Sequence, residues 1–123
     1  LYALDPEAGT AEAVDWRNGA VDGGGDPVAP LARAFDGHGE HLLVLDGNGT
    51  LHVLESSDWS YRGSLQVLDN VPAAGPSPAL AVSGAGDQAF ISDPAAPAIQ
   101  VVDLETLSIE SVPLTFAPTG LAW

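Results

Sequence analysis

Apolar and polar residues alternate in short runs along the whole chain. Runs of 4 to 6 alternating or wholly apolar residues are separated by turn residues, as in "DPEAGT", "DGNGT" and "SDPAAPA". The chain has 14 glycines and 10 prolines, and no long stripe with the helical period of 3.6 residues survives between them. The pattern therefore predicts an all-β fold of short strands.

The best single hairpin signal is "LDGNGTLHV", residues 45–53. Asn48 and Gly49 both tolerate the positive φ that a tight two-residue turn demands. With these two residues as the turn, His52 is expected to pair near Leu45.

The pattern repeats after 47 residues. The segment "ARAFDGHGEHLLVLD", which begins at Ala32, aligns without gaps on "ALAVSGAGDQAFISD", which begins at Ala79. Each unit reads as four short strands, and four-stranded units of roughly 40 to 50 residues are typical of β-propeller blades. We therefore predict part of a β-propeller, with about three blades of four antiparallel strands.

The repeat also divides the chain. We expect residues 1–16 to form the outer strands of one blade, residues 31–67 and 78–114 to form two full blades, and residues 119–123 to form the inner strand of the next. The long segment 17–30 would link the first two units. A closed ring needs about 4 to 8 blades, so we expect the remaining blades on another segment or another chain, with self-association of such pieces as the alternative.

The net charge of the chain limits which classes of partner it can bind. Seventeen acidic residues stand against three arginines and no lysine, a formal net charge of -14. Such a chain repels nucleic acid and anionic membranes, so neither is expected as a partner. No apolar run approaches the ~20 residues needed to span a bilayer, and the first residues lack the order of a signal peptide. We expect a cytosolic protein, or one whose signal lies outside this chain.

The hexapeptide "DGHGEH", residues 36–41, is the main candidate site. The equivalent turn of the next unit, "SGAGDQ", keeps both glycines and an acid opposite Glu40. We therefore expect the glycines and Glu40 to serve the turn, whereas Asp36, His38 and His41 are additional. The chain has no cysteine, so any metal must be held by imidazole and carboxylate. Asp36, His38 and His41 are the predicted zinc ligands, and the alternative is that turn histidines are merely tolerated.

Other polar residues have structural interpretations. His52 would lie on the order of 13 Å from His41 along the strand, at ~3.3 Å per residue, too far to share a metal, and we expect it at an exposed strand position. Asp5, Glu55 and Asp103 end equivalent strands and are predicted to accept backbone hydrogen bonds in turns.

The blade length and the turns "DGHGEHLLVLDGNGTLHVLE" and "IQVVDLETLSIESV" carry a family resemblance. The sequence resembles, over its whole length, the bacterial seven-bladed propellers of the YVTN and quinoprotein amine dehydrogenase-like group. Within that group, the histidine-bearing inner hairpin and the acidic, lysine-free composition resemble periplasmic zinc metallochaperones, which deliver zinc to the substrate-binding protein of an ABC transporter.

This resemblance implies zinc as the bound metal, a metal transporter's substrate-binding protein as a partner, and a periplasmic or secreted bacterial location. Two other functions stay open from the sequence. The first alternative is a propeller enzyme, such as a lactonase or a quinoprotein-like dehydrogenase, and the second is a protein-binding scaffold.

Overall fold

The computed structural model describes the backbone of residues 2–5, 10–15, 20–22, 30–58 and 60–122, and side chains from residue 31 onward. The strands in chain order are β1 (Tyr2–Asp5), β2 (Thr10–Asp15), β3 (Ala20–Asp22), β4 (Pro30–Phe35), β5 (His41–Asp46), β6 (Thr50–Glu55), β7 (Tyr61–Gln66), β8 (Leu80–Val82), β9 (Gln88–Asp93), β10 (Ala98–Asp103) and β11 (Ser108–Pro113). The described residues include no helix that could cross a membrane.

The chain divides into two compact units, Leu1–Pro30 and Leu31–Trp123. In the first unit, β1, β2 and β3 form a three-stranded antiparallel sheet. Strands β1 and β2 fall within the segment 1–16, for which outer strands were predicted. Strand β3 falls within the predicted linker, because three residues are too few for an alternating pattern to be recognised.

The second unit contains two four-stranded antiparallel sheets, with the strand orders β4-β5-β6-β7 and β11-β10-β9-β8. Strands β5 and β9 begin at His41 and Gln88, positions that the 47-residue alignment makes equivalent. The all-β prediction and the prediction of four-stranded blades are confirmed for these two sheets.

An apolar core lies between the two sheets of the second unit. Alternation along the strands turns every second residue toward the neighbouring sheet, so β5 and β9 each contribute a pair of residues. Its buried members are Leu43, Leu45, Leu51, Val53, Val67, Leu68, Ala89, Ile91, Val102 and Leu104. A buried leucine stabilises the fold by roughly 1.5–3 kcal/mol relative to an exposed one, so this core fixes the two sheets against each other.

The hairpin of residues 45–53 forms, but with a longer loop than predicted. Its loop is Gly47, Asn48 and Gly49, and Leu45 pairs with Leu51. Gly49 has a φ of 81°, whereas Leu107 is the only described non-glycine residue with a positive φ, so Asn48 does not adopt this conformation. A type I turn followed by a left-handed glycine is the usual three-residue hairpin loop. In consequence His52 pairs with Val44, one residue away from the predicted partner Leu45.

The inner strand predicted for residues 119–123 is not present in the described part of the chain. Residues 119–122 are irregular, and Trp123 lies outside the described residues. A strand needs a neighbouring strand to satisfy its backbone groups, and the described sheets place none beside this segment.

Candidate functional site

The candidate hexapeptide forms a tight turn between β4 and β5. The backbone N–H of Asp36 donates to the carbonyl of His41 over 3.1 Å, and Gly39 N–H donates to the Asp36 carbonyl over 3.0 Å. Gly39 has a φ of 72°, a conformation that glycine adopts without steric cost. The turn therefore projects the side chains of Asp36, His38 and His41 from one end of the first four-stranded sheet.

Both oxygens of the buried Asp36 carboxylate accept hydrogen bonds. Oδ1 accepts from the backbone N–H of Glu40 over 2.7 Å, and Oδ2 lies 2.8 Å from Nδ1 of His41. Burial alone would raise the pKa of Asp36, but the hydrogen bonds from His41 and from the turn backbone lower the pKa overall. Asp36 is therefore ionised, closes the turn and holds the ring of His41.

The second unit's turn shows that the acceptor at position 36 is part of the turn. Ser83, its equivalent, accepts hydrogen bonds at Oγ from the backbone N–H groups of Asp87 and Gln88 over 3.2 and 3.1 Å. The expectation that Asp36 is additional to the turn is therefore wrong. A hydroxyl and a carboxylate are both oxygen acceptors, so two different residue types cap the same turn.

Glu40 does not serve the turn in the way the comparison of the two units predicted. Its side chain is exposed, and its carboxylate accepts no hydrogen bond from the described residues. Asp87, its equivalent, accepts a hydrogen bond from Ser83 Oγ over 2.6 Å. The same residue type at equivalent positions thus has a structural role in one turn only.

His41 contacts two charged side chains through its other nitrogen. Nη1 of Arg62 lies 2.7 Å from Nε2 of His41, and Oε2 of Glu55 lies 3.5 Å from the same nitrogen. Glu55 is directly opposite His41 in the pairing of β5 with β6. Glu55 was predicted to accept backbone hydrogen bonds in a turn, but its carboxylate faces His41 and Arg62 instead.

The same prediction was made for Asp103 and Asp5. Asp103 does accept backbone hydrogen bonds, from Glu105 and Thr106 over 3.0 and 2.8 Å. The side chain of Asp5 lies outside the described residues.

His38 is exposed on the same turn and lies against the equivalent turn of the neighbouring sheet. A Cβ atom added at Gly86 would be 3.1 Å from Nδ1 of His38 and 3.5 Å from Cβ of Asp36. A Cβ at Gly37 would be 2.7 Å from the carbonyl oxygen of Gly84. The two turns therefore touch, and the absence of a side chain at Gly37 and at Gly86 leaves room for the facing turn.

His52 is not part of this site, as predicted, but it is not a simple exposed residue. Its side chain is only 14% exposed, and Nε2 lies 2.8 Å from Oδ2 of Asp46. Its Nδ1 contacts the hydroxyl of Tyr61. His52 lies opposite Val44, three residues along β5 from His41, or roughly 10 Å at ~3.3 Å per residue.

The side chains of the turn are neighbours without forming a ready coordination shell. No group of three or more His, Asp or Glu side chains in the described part of the chain is placed to hold a metal ion. Imidazole and carboxylate are nevertheless donors that suit zinc. Sequence reasoning identified Asp36 and His41, which do lie together, and missed Glu55 and Arg62. The observed hairpin register pairs Glu55 with His41, whereas the predicted two-residue loop pairs His41 with Ser56.

These sheets have the architecture of β-propeller blades, and the chain is part of a β-propeller. Among solved structures, it is similar to AztD from Citrobacter koseri, with a TM-score of 0.76 and 18% identity over 89% of this chain and 31% of AztD. It is also similar to the dihydro-heme d1 dehydrogenase NirN, with a TM-score of 0.75 and 12% identity over 94% of this chain and 24% of NirN.

A third similar structure is hydrazine synthase from Kuenenia stuttgartiensis, with a TM-score of 0.59 and 16% identity over 74% of this chain and 25% of that one. No protein-family model and no curated protein matches the sequence. The chain thus spans less than a third of the length of AztD and about a quarter of the other two. At these identities the similarities establish the fold alone.

Proposed function

We propose that this chain is part of a zinc-binding propeller of the bacterial periplasm, a metallochaperone that passes zinc to the substrate-binding protein of a metal transporter. His38 and His41 are the proposed ligands, and Asp36, predicted as a third ligand, is instead proposed to orient the ring of His41. The observation that carries the proposal is the 2.8 Å contact between Asp36 and Nδ1 of His41. A carboxylate that holds one nitrogen of a histidine, so that the other can bind metal, is the usual second shell of a zinc site.

The donor chemistry supports zinc as the cargo. The chain has no cysteine, and the turn offers two imidazoles and carboxylates, which bind zinc and do not require a thiolate. A net charge of -14 produces a field that raises the local concentration of cations. Both features favour a divalent cation over an anionic or nucleic-acid ligand.

The similarity to AztD supports the metallochaperone class. AztD is one of the periplasmic zinc metallochaperones that the sequence resembles. Because the two proteins share 18% identity and this chain spans 31% of AztD, the transfer of zinc to a substrate-binding protein is our proposal for this chain. The similarity to NirN, at 12% identity over 24% of that protein, likewise concerns the fold alone.

The exposure of the turn suits a carrier that gives up its metal. His38 is exposed, whereas the Asp36 side chain beneath it is 2% exposed. A ligand from a partner protein could therefore reach a metal on the side of His38 while His41, whose side chain is less exposed, still holds the metal. Exchange of ligands one at a time avoids releasing a free ion, which is the property that a metallochaperone needs.

Competitive zinc titration of the protein tests the proposal. His38→Ala and His41→Ala should each weaken zinc binding, by about 100-fold or more for His41, since changes to second-shell partners alone cost about 10–100-fold. His52→Ala is the matched control, because both of its nitrogens already contact Asp46 and Tyr61, and it should leave the affinity unchanged.

Unchanged zinc affinity in both His38→Ala and His41→Ala would overturn the zinc site and leave a propeller scaffold. If the site is real, mixing the zinc-loaded protein with a transporter's substrate-binding protein should transfer zinc faster than release to a chelator. Equal rates of transfer to the substrate-binding protein and of release to the chelator would contradict the metallochaperone role, but not the metal site.

A further inference from the structure

A guanidinium group occupies the lone pair of His41 that a metal would use. Nη1 of Arg62 lies 2.7 Å from Nε2 of His41. A guanidinium has only donors, so Nε2 is the acceptor and the ring proton is on Nδ1, which donates to Asp36. Zinc cannot bind Nε2 while this hydrogen bond is in place.

Arg62 is held in this position by further contacts. Nη1 lies 3.8 Å from Oε1 of Glu55, and Nη2 donates to the carbonyl of Glu105 over 3.4 Å. Glu105 belongs to the turn between β10 and β11 of the neighbouring sheet. The Arg62 side chain is 29% exposed, so a partly buried cation is fixed between an imidazole and a carboxylate.

The two atoms around this cation already have the spacing of zinc ligands. Nε2 of His41 and Oε2 of Glu55 are 3.5 Å apart. Two ligands at about 2.1 Å from one tetrahedral zinc lie about 3.4 Å from each other. Glu55 therefore has the chemistry and the position of a ligand, on the same nitrogen that Arg62 now contacts.

We propose that Arg62 is an internal competitor for zinc and that Glu55 is a further zinc ligand. The guanidinium occupies the cation position between His41 and Glu55 when zinc is absent, and it must leave when zinc binds. This inference rests on the proposed zinc site and adds to it a reason for release. When zinc passes to a partner, Arg62 returns, so the mostly buried His41 and the half-buried Glu55 both keep a hydrogen-bond or ion-pair partner.

Competitive zinc titration of Arg62→Gln tests the competition. Removing one charge-assisted hydrogen bond to the ligand should tighten zinc binding roughly tenfold or more. It should also slow zinc release to a chelator. Arg33→Gln is the matched control, because it removes the same charge from an exposed position on β4, and it should change the affinity by about twofold or less.

Two further variants separate this mechanism from a structural role of Arg62. Glu55→Gln should weaken zinc binding by about tenfold or more, because it removes an ionised ligand. In a His41→Ala background, Arg62→Gln should give no gain in affinity, because the nitrogen that Arg62 blocks is absent. Circular dichroism of each variant checks that the strands are retained.

The outcomes distinguish this inference from the proposed function. If His41→Ala weakens zinc binding but Arg62→Gln leaves the affinity unchanged or lowers it, the competition is overturned and the zinc site stands. If Arg62→Gln tightens binding equally with and without His41, the effect does not act through His41, which also overturns the inference. If His41→Ala has no effect on zinc binding, the competition at His41 is overturned, and if His38→Ala has none either, the proposed zinc site fails as well.

Discussion

The two inner turns, residues 36–41 and 83–88, share one backbone and differ in chemistry. In both, the first residue donates its N–H to the carbonyl of the sixth, over 3.1 and 2.8 Å, and the fourth residue is a glycine with a φ of 72° or 75°. The cap is the carboxylate of Asp36 in one turn and the hydroxyl of Ser83 in the other. The carboxylate has a second oxygen, which holds His41.

This difference shows how a repeat can acquire a site without a change of backbone. Any oxygen acceptor closes the turn, so the position tolerates Asp or Ser. Only the ionised carboxylate can also orient an imidazole with a charge-assisted hydrogen bond. The second turn has Gln88 where the first has His41, so both partners of this contact are absent from it.

The largest expected effect comes from truncating a side chain in the apolar core between the two sheets that carry the turns. Leu43 is fully buried between the two sheets, and Leu43→Ala should lower the free energy of unfolding by about 2–5 kcal/mol through lost burial and the cavity left behind. Chemical denaturation measures the change. Leu31→Ala is the control, since Leu31 is 40% exposed, and it should cost no more than about 1 kcal/mol. Equal losses at both positions would place the main core elsewhere.

The next effect compares the two caps directly. Asp36→Ala should lower the free energy of unfolding by about 2–3 kcal/mol, because it removes an ionised acceptor of two hydrogen bonds, whereas Ser83→Ala should cost about 1 kcal/mol. Denaturation of the zinc-free protein measures both. Asp36→Ser should recover part of the loss, since a serine closes the equivalent turn. A Ser variant as unstable as the Ala variant would show that the two caps are not interchangeable.

Much of the fold could be predicted from the sequence because it depends on patterns that the sequence displays. Alternating apolar runs and the 47-residue alignment place strands such as β5 and β9 where they occur. The three residues of β3 are too few to alternate, and the conformation of Asn48 depends on a turn type that Asn-Gly alone does not determine.

The candidate site was predicted only in part, and the two missed residues, Glu55 and Arg62, were missed for different reasons. Taking Asn48-Gly49 as a two-residue loop shifts the pairing by one position, so that Ser56 rather than Glu55 faces His41. A shift of one residue exchanges the two faces of a strand, and this hid Glu55. Arg62 reaches the site from β7, next to a register shift between Val53 and Leu54 in β6, which no periodic pattern predicts.

A smaller effect is expected at Asp46, whose carboxylate caps the turn at the other end of the first four-stranded sheet. Burial opposes ionisation of Asp46, but hydrogen bonds from His52 and from the backbone of Thr50 and Asn48 lower the pKa of Asp46 below its ordinary value of 3.8. Its contribution to stability is thus present above pH 3.8 and lost as the pH falls through the lowered pKa of the folded state.

Asp46→Asn should therefore destabilise the protein near pH 7, by about 1 kcal/mol, and flatten the loss of stability in acid. Thermal unfolding between neutral pH and pH 3 measures this slope. Asp93→Asn, at the equivalent position, is the control, because within the described part of the chain the Asp93 carboxylate accepts hydrogen bonds from the backbone N–H groups of Ala95 and Ala96 and from no side chain. If both variants flatten the slope equally, His52 contributes nothing to the acid dependence.

The smallest effect concerns the acid that both inner turns share. Asp87 accepts a hydrogen bond from Ser83 over 2.6 Å, so Asp87→Ala should lower the free energy of unfolding by about 0.5–1 kcal/mol. Glu40 is exposed and its carboxylate accepts nothing from the described residues, so Glu40→Ala should change stability by less than about 0.5 kcal/mol. Because the Glu40 carboxylate makes no hydrogen bond or ion pair with His41 in the described residues, its variant should also leave zinc affinity within about twofold. A tenfold loss of zinc affinity in Glu40→Ala would instead make this shared acid a ligand, and the contrast between the two turns would then extend to a position where their residue types agree.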